Sequence, residues 1–600
     1  MKFTTLVFGA LMAALALTVQ SADLLMETVK LAPGGRDMLL PEAGQPLLPK
    51  ESGQATAEKI SISDAPWTSF WRFEILQRPA NTWSVQLTAK IGEAITKGDK
   101  CLLLLYVRAA EGKASGSANV EIARPPEYPK LGSTQFRVGT KWEPVILPFT
   151  ASQDGPQGLC AIAIHLGSEA QKVEIGGLRL LNYGQDFPAD QLPQPRFTYE
   201  GREADAPWRK EAQARIEKHR KGDFVLTVVD AHGKPVTDAE VRVVLKRHAF
   251  GFGSAVTAKM LNDTSPDGDR YRAVVEECFS RVVFENDLKP GPWEAAKDPN
   301  TTGAYRKVWL DKSLQWLAER KIQTRGHYLC WAPFEPWSAK LKDNPQAIRD
   351  KVMSYMREIT PAVGDLVCEW DALNHPAGWE ANSCINTVLG GEFYAEVFRE
   401  ARRLTKLPLW INEDQVFRPG RQQEEYFQII EKLIASGIKP DGIGNQAHFH
   451  SSFLPSPEEM LANSDRFAKL VPALQITEFD VNTNGDEKLA ADYTRDLLIT
   501  TFSHPAYTGF VMWGFWEGAH WKPETALWRQ DWNEKPAAKV WRDLVNHQWH
   551  TDELLHTDDK GTVRLRGFYG RYEVEMRGQK LGIDLTKSSQ GAVKVELKAP

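Results

Sequence analysis

The second half of the chain alternates short apolar segments with amphipathic helical segments, and this alternation restricts the fold more than any other feature. Eight strand–helix units in roughly 300 residues match the size of a closed parallel barrel. We therefore predict an α/β architecture, a (β/α)8 TIM barrel. The predicted strands begin near Phe250, Arg281, Thr324, Leu366, Pro408, Gly442, Ala473 and Gly509.

Local signals support the helices between these strands. Tyr426, Ile430 and Leu433 recur at helical spacing and form one apolar face that Gly437 ends. The run from Ser456 to Glu459 has a cap residue, a proline in the first helical position and a glutamate three residues after the cap, which predicts a capping box.

Residues 23–190 show period-two apolar alternation broken by turn residues, which predicts an all-β, jelly-roll-like sandwich. Trp83 and Val85 belong to this alternation, and we predict that both point into the core. Cys101 and Cys160 lie in two of these strand-like segments, and the sequence is compatible both with a disulfide between them and with two free thiols. The unit is similar to a carbohydrate-binding module only in pattern, size and position, so we favour a structural or weakly binding role. Its candidate stacking residues are Trp67, Trp71, Trp83, Tyr106 and Trp142.

Further boundaries follow from changes of pattern. A linker and a helix occupy residues 191–222, with the helix over Asp205–Arg220, and the barrel with an N-terminal β-hairpin occupies 223–550. A short β extension covers 551–600. Because a barrel brings its chain ends together, we predict that the hairpin strands, around Leu226 and Val243, pair with extension strands around Val563 and Val574.

The N-terminus and the composition limit location and partners. Met1–Ala22 has a basic start, an apolar stretch and small residues at its end, which predicts a cleaved signal peptide and a secreted or periplasmic protein. A net charge of −5 without a dense basic run argues against nucleic acid as a partner. We expect no membrane anchor, a monomer, and no cofactor. His448 and His450, with His520, are weighed as metal ligands and set aside: we expect no metal and place His450 in a loop beyond its strand.

Polar side chains follow the predicted strands where each strand ends. The loops at the C-terminal ends of barrel strands converge over the barrel mouth, so these residues are predicted to share one site. They are Glu285, Asn286, Lys289, His327, Trp331, Asp371, Asn374, His375, Asn412, Glu413, Gln446, His448, Glu478, Asp480, Trp513 and Trp521.

The segment from Gly253 to Asn546 resembles glycoside hydrolase family 10, the endo-1,4-β-xylanase family. The resemblance depends on seven motifs in the family's order: FENDLK, RGHYLCW, WDALN, INED, DGIGNQAHF, ITEFD and WGFWEGAHW. It implies a polysaccharide substrate, a xylan-like β-1,4-glycan, cleaved with retention by two carboxyl groups about 5 Å apart. It also implies that Glu478 is the nucleophile and that His448 and Asp480 orient it. The substrate-binding residues that it implies are Glu285, Asn286, Lys289, His327, Trp331, Asn374, Gln446, Trp513 and Trp521.

Two positions depart from the family pattern. His375 stands where the family has its acid/base glutamate, and Ala332 stands where the family usually has a histidine. Three interpretations remain open: His375 is the acid, Glu380 or Glu335 replaces it, or the barrel binds polysaccharide with little or no catalysis. Retention of Glu478 with its orienting residues favours a hydrolase, since binding alone needs no attacking carboxylate.

Overall fold

The computed structural model describes residues 29–49, 53–298, 303–334, 336–377, 384–589 and 593–596. The chain forms two compact units, one ending at Phe197 and the other beginning at Thr198. The predicted signal peptide, Met1–Ala22, lies outside the described residues. Within the described ranges, no helix combines the length and apolar character needed to cross a bilayer.

The first unit is an all-β region of two antiparallel sheets, as predicted. Its strands are β1 (Arg36–Asp37), β2 (Leu39–Leu47), β3 (Ala55–Ser61), β4 (Ser69–Ile75), β5 (Gln86–Ile91), β6 (Lys100–Ala109), β7 (Ala114–Ile122), β8 (Lys130–Val138), β9 (Glu143–Thr150), β10 (Cys160–His165) and β11 (Gln171–Asn182). One sheet has the order β3-β4-β11-β6-β9, with β1 paired to β11, and the other has the order β2-β5-β10-β7-β8. Alternate residues of both sheets, among them Phe73, Val107, Val120 and Ile164, form one buried core.

Two predictions about single residues of this unit have definite outcomes. Val85 is fully buried, but the prediction for Trp83 was wrong, since 56% of this residue is exposed. Residues Thr82–Ser84 form a turn of 3-10 helix, which breaks the period-two alternation before β5 begins. Cys101 and Cys160 are free buried thiols and form no disulfide. Burial, followed by the charge of Asp99, raises the pKa of Cys101 to about 12, so this thiol is unreactive at neutral pH.

The remaining candidate stacking residues pack in two different apolar clusters. Trp71 packs against the core between the sheets. Trp67 stacks on Tyr106 with ring centroids 4.7 Å apart, and Trp142 meets Trp67 edge-on at 5.2 Å. These three rings pack on each other in a second, smaller apolar cluster.

The second unit contains the barrel and its flanking strands. Its strands are β12 (Lys221–Val229), β13 (Glu240–His248), β14 (Gly251–Val256), β15 (Arg281–Phe284), β16 (Gln323–His327), β17 (Glu369–Asn374), β18 (Leu409–Glu413), β19 (Gly442–Asn445), β20 (His448–His450), β21 (Leu474–Asn482), β22 (Tyr507–Met512), β23 (Asp552–His556), β24 (Thr562–Phe568), β25 (Gly570–Met576), β26 (Gln579–Leu585) and β27 (Val593–Glu596). Its helices are α1 (Trp208–Arg220), α2 (Ala258–Leu261), α3 (Pro266–Cys278), α4 (Pro290–Ala296), α5 (Lys307–Glu319), α6 (Pro336–Ala339), α7 (Pro345–Val363), α8 (Asn386–Leu389), α9 (Phe393–Leu404), α10 (Arg421–Ala435), α11 (Pro457–Ala468), α12 (Glu487–Ser503) and α13 (Pro536–Trp541).

The predicted TIM barrel is confirmed. Strands β14 to β19 pair in parallel in chain order, and β19 pairs with β21, β21 with β22 and β22 with β14, which closes the ring. The eight strands begin within three residues of the predicted positions. The short strand β20 was not predicted. It continues β19 along the same edge of β21, since Asn445 lies opposite Ile476 and His448 opposite Asp480, and it contains His450, which was wrongly placed in a loop.

The two helix signals found in the sequence are also confirmed. The side chain of Ser456 accepts the backbone N–H of Glu459, and the Glu459 carboxylate accepts the N–H of Ser456, which is the predicted capping box at the start of α11. After α10, Gly437 has φ +81, a conformation that favours glycine and ends the helix there.

The pairing between the two flanks of the barrel is confirmed. Strand β12 pairs antiparallel with β24, with Leu226 opposite Val563, and β13 pairs antiparallel with β25, with Val243 opposite Val574. Both pairs of apolar residues are fully buried or nearly so. The predicted N-terminal hairpin was wrong, because β12 and β13 belong to different sheets and each pairs with strands of the C-terminal extension instead of with the other.

Candidate active site

Glu478 lies near the C-terminal end of barrel strand β21, with 5% of the residue exposed. Its Oε1 accepts a hydrogen bond of 2.8 Å from Asn412 Nδ2, and its Oε2 lies 3.4 Å from His448 Nε2. Because both oxygens of this carboxylate have a partner, its orientation is fixed, as a nucleophile requires.

His448 is held in turn by Asp480. Its Nδ1–H donates to Asp480 Oδ2 at 2.8 Å, and Trp521 Nε1 donates to the same oxygen at 2.9 Å. Lys522 Nζ lies 3.4 Å from the other oxygen of Asp480. Asp480 therefore fixes the tautomer of His448 and leaves Nε2 directed at Glu478.

The electrostatics of this group favour an ionised Glu478. Burial opposes the charged form, but the hydrogen bond from His448 and the charges of the neighbouring histidines outweigh burial and lower the pKa of Glu478 to about 2. Burial also opposes a charged His448, yet Asp480 and Glu478 raise the pKa of His448 to about 10. Since the two groups stabilise each other's charge, we expect a carboxylate and an imidazolium across the neutral range.

A network of amides connects this group to the neighbouring strands. Asn412 Nδ2 also donates to Asn374 Oδ1 at 2.9 Å, and Gln446 Nε2 donates to the same oxygen at 3.1 Å. Asn374 is fully buried, and its Nδ2 has no hydrogen-bond partner among the described residues. A buried donor without a partner is costly, so this atom has an unused hydrogen bond inside the network.

His375 lies at the end of β17, with Nδ1 3.0 Å from Glu413 Oε1 and Nε2 3.0 Å from Gln446 Nε2. The ring of Trp331 packs edge-on against it at 4.5 Å. Burial lowers the pKa of His375, but the hydrogen bond and charge of Glu413, with smaller contributions from Glu478 and Asp414, give a net rise. The side chain at this position is therefore a buried imidazole beside a carboxylate, inside the same network as Glu478.

The barrel interior below the site contains a layer of buried charges that supports it. Arg325 is fully buried, and its guanidinium pairs with Glu369 at 2.6 Å and with Asp371. Asp371 Oδ2 also accepts the Nδ1–H of His327 at 2.9 Å. Because Arg325 and His327 lie two residues apart on β16, both face inward, and the ion pair holds the histidine at the top of the barrel.

The remaining predicted binding residues lie around this centre. Lys289 Nζ donates to Asn286 Oδ1 at 3.0 Å and lies 5.9 Å from the ring of Trp513. Burial, partly offset by Lys289, raises the pKa of Glu285, on which the charge of Glu478 also acts. Trp513 is buried and lies 5.2 Å from His327.

Trp521 is the exposed member of the predicted set. It is 49% exposed, and its ring lies 5.1 Å from that of His448. Contacts thus connect Glu478, His375, His448 and Asp480 with the predicted binding residues, at the ends of seven of the eight barrel strands.

The sequence reasoning assigned no role to Asn412 and Glu413. Both are fully buried at the end of β18, where Asn412 contacts the nucleophile candidate and Glu413 contacts His375. Their available signal was the change from apolar to polar residues in LWINE. The two carboxylates considered as replacement acids, Glu335 and Glu380, lie outside the described residues. Ala332 is fully buried, and its N–H donates to the carbonyl of Asn374.

The histidines weighed as metal ligands have other surroundings. His450 is exposed and contacts Ser452, while burial lowers the pKa of His520 to about 4. In the part of the chain that the structure describes, no group of three His, Cys, Asp or Glu side chains is arranged to hold a metal ion.

Comparison with known proteins identifies the barrel. The profile of glycosyl hydrolase family 10 matches residues 241–544, just over half of the chain. The anti-sigma-I factor RsgI6 of Acetivibrio thermocellus is 28% identical over 369 residues, which cover 61% of this chain and 46% of that protein. Endo-1,4-beta-xylanase 1 of Arabidopsis thaliana is 24% identical over 408 residues, which cover 67% of this chain and 40% of that protein. The chain therefore spans less than half the length of these two relatives.

Two solved xylanase structures are similar to part of this chain. The crystal structure of xylanase 10B from Thermotoga petrophila in complex with xylobiose has a TM-score of 0.44 and 20% identity, and the match covers 50% of this chain and 94% of that chain. Native xylanase 10B from Thermotoga maritima also has a TM-score of 0.44, with 21% identity, and its match covers 50% of this chain and 95% of that chain. On the family profile, which spans the closed barrel and every candidate residue of the site, the chain belongs to glycosyl hydrolase family 10.

Proposed function

We propose that this chain is a retaining glycoside hydrolase that cleaves a xylan-like β-1,4-glycan through a covalent glycosyl-Glu478 intermediate. The observation that carries the proposal is Glu478 itself: a buried carboxylate whose pKa is lowered to about 2, held by Asn412 and His448. Burying an ionised carboxylate costs free energy, and the groups that hold it must be buried with it to offset that cost. A barrel that only bound sugar would gain nothing from this arrangement.

In the first step, Glu478 attacks the anomeric carbon while the bond from that carbon to the leaving oxygen breaks. His375 Nε2–H gives its proton to the leaving oxygen. In the second step, water attacks the anomeric carbon, Glu478 leaves, and the proton of the water passes to His375 Nε2. The two displacements together retain the configuration, and the products are two shorter glycans.

The substrate-binding part of the proposal depends on the donors around the anomeric carbon. The unpartnered Nδ2 of Asn374 lies in the network of Glu478 and is suited to a sugar hydroxyl next to the reacting carbon. Trp331 and Trp513 supply apolar surfaces, and sugars stack on such rings. The names of the xylanase relatives support xylan as the first substrate to test, and the signal-like N-terminus supports an exported protein.

A competing function is polysaccharide binding with little turnover, and His375 is the observation that favours it, because an ordinary carboxyl acid is missing at that position. Leaving groups separate the two functions. An aryl glycoside with a good leaving group needs little protonation, whereas an ordinary glycosidic bond needs much. We expect the wild type to turn over dinitrophenyl xylobioside faster than xylan.

A mechanism-based trap gives the decisive test. The wild type incubated with a 2-fluoro-xylobioside should carry one covalent sugar on the peptide that contains Glu478, and Glu478→Ala should carry none. Binding of xylan without any adduct in the wild type would favour the competing function.

A further inference from the structure

Glu413 is a buried carboxylate at the C-terminal end of β18, the strand next to that of His375. Its Oε1 lies 3.0 Å from His375 Nδ1 and accepts the backbone N–H of Asp414 at 2.8 Å and the side-chain amide of Gln422 at 3.0 Å. Its Oε2 accepts the backbone N–H of Ala377 at 2.8 Å. Four N–H groups donate to this carboxyl group, which is the surrounding that an ionised carboxylate prefers.

This anion decides which nitrogen of His375 exchanges protons. Nδ1 keeps its hydrogen because it donates to Glu413, so proton transfer takes place at Nε2. In the neutral ring Nε2 accepts the amide N–H of Gln446 at 3.0 Å, and the same amide nitrogen donates to Asn374 Oδ1; a protonated Nε2 gives up this bond and directs its N–H at a substrate oxygen. Since Asn374 and Glu478 share Asn412 as a donor, Nε2 is the atom that faces the reacting centre.

The backbone of His375 provides a second observation. Its φ is +54, in the left-handed region that residues with a Cβ rarely adopt, and its N–H donates to the carbonyl of Asn412 at 2.9 Å. Residues stay in this region only when their surroundings hold them there. Here the end of β18 supplies both the carbonyl that holds the backbone and the carboxylate that holds the ring.

We propose that Glu413 is a positioning residue for His375, and that the pair takes the place of the single acid/base carboxyl group. The proposal rests on the proposed function. Nε2–H protonates the leaving oxygen as Glu478 forms the ester, and Nε2 then takes the proton of the water that releases the sugar. Glu413 accepts the Nδ1–H bond throughout, and water is the only co-reactant.

The charges that face His375 support both halves of this cycle. Glu413 and Asp414 face it from the end of β18 and Glu478 from β21, and all three favour the imidazolium against burial. The Cys384 thiol lies near its carbonyl, and burial raises the pKa of this thiol to about 11, so it adds no charge. When Glu478 becomes an ester, one of the three anions is lost. The pKa of His375 then falls, which suits its second role as a base.

The test compares Glu413→Gln with Asp465→Asn. The control removes a carboxylate from another histidine pair, in which His504 Nε2 lies 3.1 Å from Asp465 Oδ1, at the opposite end of the barrel. In Glu413→Gln, we expect the alkaline limb of kcat/KM for xylotetraose to move down by about one pH unit or more. At pH 7 this value should fall by roughly 10- to 100-fold, while that for dinitrophenyl xylobioside changes little. The control should leave kcat/KM for both substrates and the position of the alkaline limb unchanged.

Two further measurements separate positioning from a structural role. In nitrogen-detected NMR, wild-type His375 should carry its neutral-state proton on Nδ1 and titrate above its ordinary value, and Glu413→Gln should lower that pKa. In a His375→Ala background, Glu413→Gln should cost almost nothing more on xylotetraose, because residues that act as a unit are not additive.

The possible outcomes are distinct. An unchanged alkaline limb with equal losses on both substrates would overturn the proposal while leaving the hydrolase intact, provided that the wild type still forms the adduct on Glu478. A wild type without the adduct would remove the hydrolase and this proposal together. If Glu413→Gln does not fold, the wild-type NMR titration decides alone: a neutral His375 with its proton on Nε2, or a pKa below the ordinary value, rejects the pair.

Discussion

His448 and Asp480 are direct partners in the parallel register of β20 and β21, and their side chains repeat this pairing with a 2.8 Å hydrogen bond. The three-residue strand β20 continues β19 along β21. It brings an imidazole to the nucleophile candidate, which lies two residues earlier on β21 and faces the same side. The backbone pairing thus determines the electrostatics of Glu478.

Replacement of His448 should change the acid side of the pH profile. Turnover needs ionised Glu478 and is lost as the pH falls through its pKa, which is about 2 in the wild type. In His448→Gln, burial is no longer offset by the cation, so we expect the acid limb for an aryl glycoside to rise by about two pH units or more. His450→Gln, on the same short strand but exposed, is the control. Equal limbs in the two variants would contradict the assignment, with circular dichroism at each pH reporting the fold.

Asn412→Ala should impair catalysis more than stability. The change removes the donor that Glu478 Oε1 and Asn374 Oδ1 share. A hydrogen bond to a charged group contributes about 1.5–3 kcal/mol, which corresponds to a loss of kcat/KM of roughly 10- to 150-fold. Asn445→Ala, a buried asparagine on the neighbouring strand β19, is the matched control and should retain its activity. Equal losses in the two variants would show that Asn412 is only structural.

Introducing a glutamate at position 375 should support xylan cleavage only if Glu413 is also neutralised. In His375→Glu alone, two buried carboxyl groups meet at a distance where both cannot ionise, and the new group has no cation beside it. We expect this variant to be less stable and no faster on xylan than the wild type. His375→Glu with Glu413→Gln should cleave xylan at least as fast as the wild type, measured as reducing ends. A single variant faster than the double variant would contradict the charge conflict.

The C-terminal extension should contribute directly to the stability of the second unit. Tyr572 on β25 is buried opposite Leu245, and its hydroxyl donates to the carbonyl of Phe568 at 2.6 Å. Tyr572→Ala should lower the free energy of unfolding by about 3–5 kcal/mol, the usual cost of truncating a large buried ring. Arg571→Ala, an exposed neighbour, should change it by less than about 0.5 kcal/mol. Urea unfolding of both variants measures the difference, and similar midpoints would contradict the contribution of the buried ring to stability.

Many features of this fold could be predicted from the sequence because they depend on residues that lie close together in the chain. The capping box from Ser456 to Glu459 involves residues three positions apart, and the apolar face of α10 depends only on helical period. The eight barrel strands are short apolar runs with polar ends, and parallel strands place those ends together in every closed barrel. The pairing of Leu226 with Val563 followed from matching alternation and from the meeting of chain ends. Trp83 shows the limit of the period-two rule, because one turn of 3-10 helix moved it from the predicted core to the surface.

The tertiary structure decided the chemistry around His375. The sequence identified a histidine in place of the expected glutamate, but the carboxylate that supports it is 38 residues away on the next strand. Their contact depends on the register that places Asn374 opposite Asn412 and on the left-handed backbone of His375. Neither property has a sequence period or a local motif, since both arise from how the neighbouring strands pack. The sequence therefore identified the types of residue in the site, whereas their pairing, burial and charge depend on the closed barrel.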